Sequence, residues 1–442
     1  MTMNKEMYNI AEWSIEIAKS AGADDCRVGI SKERFVEISY RDRKPENIKE
    51  ASRRNLFIEI FVNGRYSAQN TSDLRKESLR NFISNAVEAT KLLAKDPFRT
   101  LPDPKYFKGR AELDLGIRDS AYEQLTPEER HNIVRAIEDA CLTEGGEKTI
   151  SVTATEQDRL GESVVLTSNG FEGYRESTFY VMGARMTIKD EGDRRPEGYN
   201  YVVSVLQKGL PEPRDVGLVT AKRTLDLLGS KKIKTETLPV IIENRNVSRL
   251  LGGFLSAMYG RNIQQKQSFL TNKKGQQIGS KFFTLIDNPF VINGLGSQLY
   301  DGDGFATKKR TMIESGVLKD FYVDWYYSRK LGWEPTTGGP SNLIIPPGKR
   351  SIKEIMKDLG RGILITGFIG GNSNSTTGDS SVGIMGKLFE NGEPVQTIAE
   401  MNIADNHLEF WNKLVEVAND PWIYSSRHMP SLVFTDVVVS GV

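Results

Sequence analysis

The chain has 442 residues, 59 basic against 58 acidic side chains for a formal net charge of +1, and 38% hydrophobic and 26% charged residues. That balance describes an ordinary globular protein too long for one core, so two domains are expected, and it lacks the basic excess of a nucleic-acid binder. No run approaches the ~18 apolar residues that span a bilayer, and two distant cysteines, Cys26 and Cys141, offer neither a disulfide framework nor a cysteine metal site.

The N-terminal segment MTMNKEMYNIAEW has no apolar core of the kind a secretion signal carries, which gives the expectation of a cytoplasmic protein. Residues 5–21 follow a helical period with Ile10, Trp13, Ile17 and Ala18 on one face, and Gly22 stands where a helix stops. Strands are predicted over 26–31 and 34–40, then a polar loop around Pro45, then a strand over 55–62. Asn63-Gly64 is a hairpin signal into residues 65–69, and Asp73 is placed to cap a helix running to about 93. A proline-rich loop covers 96–107.

The same plan then repeats. Thr126-Pro-Glu-Glu129 is a capping box opening a helix to about 141. Strands follow over 149–156, 163–168, 177–189 and 199–206, with Asn169-Gly170 as a turn, before a helix over 216–228. We therefore expect a layered α+β unit with an internal duplication over 1–230, and a second domain over 231–442.

The second domain opens on a short apolar strand, 238–242, and a helix over roughly 244–258 that is apolar almost all round. Such a helix is expected to be buried. Gly252 and Gly253 in its middle each cost roughly 1 kcal/mol relative to alanine, so a close approach by a neighbouring element is expected to offset them. Short strands bounded by turns are predicted over 282–286, 311–313, 317–327, 343–345, 363–368, 383–390, 395–399 and 431–439, with Asn391-Gly392 as a hairpin turn. Helices are predicted over 351–359 and 408–418. The expectation is a largely antiparallel sheet or a partly closed barrel.

Motifs of known chemistry mostly fail. The glycine-rich stretch 362–386 has Ser381 and Leu388 where a phosphate loop needs Gly and Ser or Thr, and no GxGxxG fits. Asp301-Gly-Asp303-Gly begins like a calcium loop, but Phe305, Ala306 and Met312 occupy ligand and turn positions, leaving a hairpin turn. The three histidines are His131, His407 and His428; no helix carries two of them, and none has a serine or cysteine partner at a nucleophile spacing. His407 lies two residues beyond the carboxylate of Asp405.

Seven short motifs, in order, are similar to the TldD/PmbA family, and specifically to its PmbA (TldE) branch. They are Asp301-Gly-Asp-Gly-Phe-Ala-Thr307, Glu314-Ser-Gly-Val-Leu-Lys319, Tyr327-Ser-Arg-Lys-Leu-Gly332, Gly362-Ile-Leu-Ile-Thr366, Thr377-Gly-Asp-Ser-Ser381, Phe389-Glu-Asn-Gly-Glu-Pro394 and Pro430-Ser-Leu432. The resemblance covers the C-terminal half. It implies a zinc-dependent peptidase assembly of two subunits, historically named a modulator of DNA gyrase, that degrades unfolded peptides or trims the leaders of modified peptides. In the TldD-type subunit an HExxxH helix holds the metal. By alignment, that helix corresponds here to Leu250–Ala257, with Gly252, Gly253 and Ala257 in place of the first His, the Glu and the second His.

The resemblance thus implies a non-catalytic partner of a TldD-like, HExxxH-bearing chain, with zinc only in that partner and no cofactor, metal or catalytic residue here. The alternative is a homodimeric peptide- or protein-binding module without protease activity. An extended peptide is the expected ligand in either case, with no direct nucleic-acid contact and no membrane. Residues expected at a peptide or subunit contact are Tyr326, near a strand end, and Asn372, Asn374, Thr377 and Asp379 in a polar loop.

Overall fold

The structure, a computed structural model, describes residues 4–441. In its N-terminal half, in chain order, come α1 (Lys5–Ser20), β1 (Asp25–Arg41), β2 (Lys44–Val62), β3 (Arg65–Thr71) and α2 (Lys76–Thr90). The same order then recurs as α3 (Pro127–Gly145), β4 (Thr149–Thr167), β5 (Glu172–Ile188), β6 (Glu197–Ser204) and α4 (Pro213–Leu225). The six strands form one antiparallel sheet in the order β3-β2-β1-β4-β5-β6, so each half is a three-stranded meander and the two meet at β1 and β4. The repeated plan expected from the sequence is present.

Burial alternates along β1, and its inward residues Val28, Ile30, Val36, Ile38 and Tyr40 all have the same parity. One face of the sheet is therefore covered by helices. Val28 and Ile30 pack with Ala11 and Ile17 of α1 and Ile83 of α2, while Val36 and Ile38 pack with Val134 and Ile137 of α3 and Ala221 of α4. Strands expected as separate pieces are continuous. The polar Ser31-Lys32-Glu33 lies inside β1, and residues 157–162 inside β4. Pro45 lies within β2 rather than in a loop, where that strand has no outer neighbour because β3 pairs only with residues 56–62.

Start signals vary in outcome. The Thr126 capping box forms in full. At α2, Arg75 rather than Asp73 occupies the N-cap, and the Asp73 carboxylate accepts from Arg75 N at 3.1 Å.

The C-terminal half runs β7 (Glu236–Ile242), α5 (Asn244–Ser256), α6 (Gly260–Gln264), β8 (Leu285–Asp287), β9 (Arg310–Glu314), β10 (Val317–Leu318), α7 (Trp325–Leu331), β11 (Leu343–Ile344) and α8 (Ile352–Leu359). It ends with β12 (Arg361–Ser373), β13 (Asp379–Glu390), β14 (Glu393–Asn406), α9 (His407–Asn412), β15 (Leu414–Val417), β16 (Arg427–His428) and β17 (Leu432–Val439). A six-stranded sheet is ordered β14-β13-β12-β7-β17-β15, and a smaller one β10-β9-β8-β11-β16. Pairing is antiparallel except for β12 with β7 and β11 with β16. None of the sheets closes into a barrel. The expectation of a partly closed barrel is met only to the extent that, among the described residues, isolated bridges join β14 to Ser440, just after β17, through Asn402 and to Lys231, ahead of β7, through Ile398.

The larger sheet is packed on both faces. Val240, Ile363 and Ile384 join Leu251 and Phe254 of α5 and Trp411 of α9 in the main core, whereas Ile241 and Val433 face Ile355 and Met356 of α8. Two predicted elements change type. Residues 325–331 form α7 and not the end of a strand, because Asp324 caps Tyr327 N at 2.7 Å and Gly332 terminates the turn at φ 67°. The helix expected over 408–418 stops at Asn412, and Leu414–Val417 pairs with β17.

Candidate functional site

The site grows from the β7–α5 unit. Buried Val247, Leu251, Phe254 and Leu255 dock α5 on the large sheet, but the helix is not buried all round as its sequence predicts. Arg249 is exposed, and a Cβ built at Gly252 would meet nothing nearer than an Arg427 nitrogen at 4.0 Å. Gly253 differs sharply. A Cβ there would stand 2.5 Å from Ser373 Oγ and 2.8 Å from His407 Nε2. The close approach expected in this helix is therefore real at one of the two glycines, and side chains rather than a neighbouring backbone make it.

Ser373 ends β12 and His407 begins α9, and their side chains are hydrogen-bonded at 2.8 Å. His407 is 2% exposed, stacked on Phe269 and edge-on to Phe254. Burial pushes its imidazole down to about 4, with the Asp405 carboxylate opposing the shift, so the ring is neutral at physiological pH. Asp405 does not orient the ring as a third member of a relay. Its Oδ2 accepts from Lys413 Nζ at 2.6 Å, and its Oδ1 accepts from Asn406 N at 2.8 Å. The pair is thus a hydroxyl and a neutral imidazole without the orienting carboxylate that an acyl-transfer triad uses.

Two spaces meet here. A pocket of about 150 Å³ is walled by Leu250, Phe368 and Val382 with Gly253, Ser373 and His407 at its base. At its rim Arg249 donates to the carbonyls of Phe368 (2.9 Å) and Gly370. The register of β12 against β13 slips between Ile369 and Asn372, and Gly371 takes φ 101° with its Cα against the β13 backbone, where a Cβ would fall 2.8 Å from Ser381 O. Only glycine fits that bulge. Beside the pocket opens a polar groove of about 1100 Å³, lined by the ends of β12, β13 and β14 together with Gln267 and Glu409.

Of the residues expected at a peptide contact, Asn372, Asn374 and Asp379 line this groove. Thr377 braces it from the turn: its hydroxyl donates to Asp379 Oδ2 at 2.7 Å, and Asn406 Nδ2 donates to Asp379 Oδ1 at 3.0 Å. Those two donors hold the Asp379 carboxyl below its ordinary value. Tyr326 is elsewhere. Its hydroxyl donates to Asp96 Oδ2 at 2.7 Å and the Arg99 guanidinium lies 3.7 Å from its ring centre, so it fastens α7 to the loop of the N-terminal half. Ser373, His407 and Arg249 were not singled out by sequence as site residues. The Ser–His pair spans 34 positions and is made by the β12–β13–β14 meander, which no linear spacing signals.

The metal implied by the resemblance does not fit this helix. Positions 252, 253 and 257 offer no donor atom, Ala257 is fully buried, and the space before Gly253 is taken by Ser373 and His407. Among the described residues no group of three or more His, Cys, Asp or Glu side chains could hold a metal ion.

Three family profiles match the chain in order: PmbA/TldA metallopeptidase domain 1 at residues 26–90, its central domain at 121–228 and its C-terminal domain at 235–441. The chain belongs to the PmbA/TldD family. Metalloprotease PmbA of Escherichia coli O157:H7 is 27% identical over 431 residues, 97% of this chain and 94% of that protein. A crystal structure from Bacteroides thetaiotaomicron, of a protein described as a candidate modulator of DNA gyrase, superposes with a TM-score of 0.97 at 35% identity over 100% of both chains. TldE from Thermococcus kodakarensis shares the fold, with a TM-score of 0.88 at 21% identity over 98% of this chain and 100% of that one. Membership gives this chain a protease-related role. Among the described residues, no helix is long and apolar enough to cross a membrane.

Proposed function

We propose that this chain is the non-catalytic, PmbA/TldE-like subunit of a two-subunit zinc metallopeptidase, and that its polar groove holds an extended peptide for the TldD-like partner to cut. One observation supports the proposal: in the helix that the resemblance aligns with the metal-binding helix of the catalytic branch, this chain has Gly252, Gly253 and Ala257 at the aligned positions, and the side chains of Ser373 and His407 stand against Gly253. A hydrolytic metal needs ligands to hold it and a base to take a proton from its water, and neither role has a side chain here. The groove suits a peptide bound mainly through its backbone, because Asn372, Asn374 and Asp379 present amide and carboxylate groups where β12, β13 and β14 end. Zinc belongs to the partner, and the assembly acts on unfolded peptides or on the leaders of modified peptides in the cytoplasm.

Co-purification from the native cell tests this. A stable complex with a chain bearing HExxxH on a helix is expected. A homodimer alone, in a cell that encodes no such chain, would instead make this a peptide-binding module that cleaves nothing.

A further inference from the structure

We propose that a second cavity, in the wall between the two halves of the chain, binds a monocarboxylate that carries a hydrophobic body. The cavity encloses about 350 Å³ between β5 and the loops around residues 113–117 and 298–300. It shares no lining residue with the groove beside α5. Its walls are apolar, from Leu113, Leu115, Ile117, Leu299 and the rings of Tyr174 and Tyr300, and its size falls in the range of small-ligand pockets.

One cation in it lacks an anion. Among the described residues the Arg175 guanidinium has a single hydrogen bond, donated to the carbonyl of Ser297 at 3.3 Å, and no carboxylate in ion-pair range. The neighbouring arginines differ: Arg27 pairs with Glu59, and Arg118 with Glu123 and Glu176. Outside the lining, the Arg110 guanidinium lies 4.7 Å from the centre of the Tyr300 ring, and its Nε is buried with no partner among the described residues. Burial also draws Arg175 below its ordinary value, as expected for a partly buried cation with no counter-ion beside it.

The two acids on the lining are accounted for. Glu176 is bound by Arg118 at 3.0 Å and accepts from the Tyr174 hydroxyl at 3.4 Å, and Asp114, exposed at the rim, accepts from Gly116 N at 2.9 Å. A carboxylate entering the cavity meets the planar donor fork of Arg175, which favours that geometry, while its apolar body displaces water from the leucine and tyrosine walls.

Such a ligand has two sources, the free C-terminus of a hydrophobic peptide and a fatty acid. Calorimetric titration of the full chain with N-acetyl-leucyl-leucine, its C-terminal amide and octanoate separates them. At least one of the two carboxylates binds saturably at millimolar concentration, and the amide does not. Tighter binding of the dipeptide acid identifies a peptide terminus, and tighter binding of octanoate a fatty acid. Arg175→Gln weakens binding about tenfold or more, the loss of one charge-assisted pair. Should that variant fail to fold, Leu113→Asp at the 41%-exposed rim repels the ligand without disturbing the core and lowers affinity as well. The proposal is overturned if neither carboxylate binds, if the amide binds as well as the acid, or if the folded variants bind like the wild type.

Discussion

Arg130 is 2% exposed, and its guanidinium holds the fully buried carboxylate of Asp158 through two hydrogen bonds, one of them at 3.1 Å, while a third goes to Leu125 O at 2.7 Å. Burial, together with the charge of Asp158, pushes the Glu156 carboxyl well above its ordinary value, which favours its protonated form and leaves Arg130 and Asp158 to pair with each other. Removing one member of such a pair strands a buried charge. Arg130→Met is expected to destabilise the protein by about 3–5 kcal/mol in urea denaturation. His407 makes a pH-dependent contribution. Its imidazole stays neutral in the fold down to about 4 but takes up a proton near 6.5 once unfolded, so the unfolded state binds more protons between those values. Stability from this residue is full above pH 6.5 and is lost as pH falls toward 4, by on the order of 3 kcal/mol. Half-buried His428 is lowered too, chiefly by desolvation, and adds a loss of the same sign. His407→Gln should flatten the slope of unfolding free energy against pH in that window, and an unchanged slope would show that the ring is not the source.

Helix α5 separates two glycines that the sequence cannot tell apart. At Gly252 there is room for a methyl group in an ordinary helical conformation, so Gly252→Ala is expected to stabilise by about 1 kcal/mol. At Gly253 the same methyl group collides with Ser373 and His407, and Gly253→Ala is expected to cost about 1–3 kcal/mol. Thermal melts of the two variants should move in opposite directions, and a parallel shift would contradict the packing described. Elsewhere, elements were legible where local chemistry decides them, as at the Thr126 capping box and at Asn63 and Asn391, whose φ values of 49° and 52° match their hairpin turns. They were not legible where tertiary pairing decides. Ser31-Lys32-Glu33 carries no apolar alternation, yet partners on both sides, Asn55-Arg54-Arg53 and Ser163-Glu162-Gly161, keep it extended. The aromatic run Trp325-Tyr326-Tyr327 has strand propensity, but the Asp324 cap and the Gly332 stop make it helical.

At the scale of the molecule, two antiparallel meanders fuse into one six-stranded sheet, and the C-terminal half carries α5 and the groove. The bidentate Arg223–Glu243 pair, with a 2.8 Å bond from Nη2, ties α4 to the residue that precedes α5. Tyr326 and Trp325 tie α7 back to Asp96 and Thr100 of the N-terminal loop. These ties set α5 and α7 against the N-terminal half. Sequence alone located the polar turn of the groove, through Asn374, Thr377 and Asp379, because a turn is a local event. It did not locate Ser373 with His407 or the cavity at Arg175, since both depend on segments brought together by the sheets. Peptide hydrolysis by the purified chain, alone and after reconstitution with the HExxxH-bearing chain proposed as its partner, tests the central claim most directly. We expect no cleavage by the chain alone, and cleavage by the pair that a chelator abolishes; chelator-sensitive cleavage by the chain alone would contradict the account.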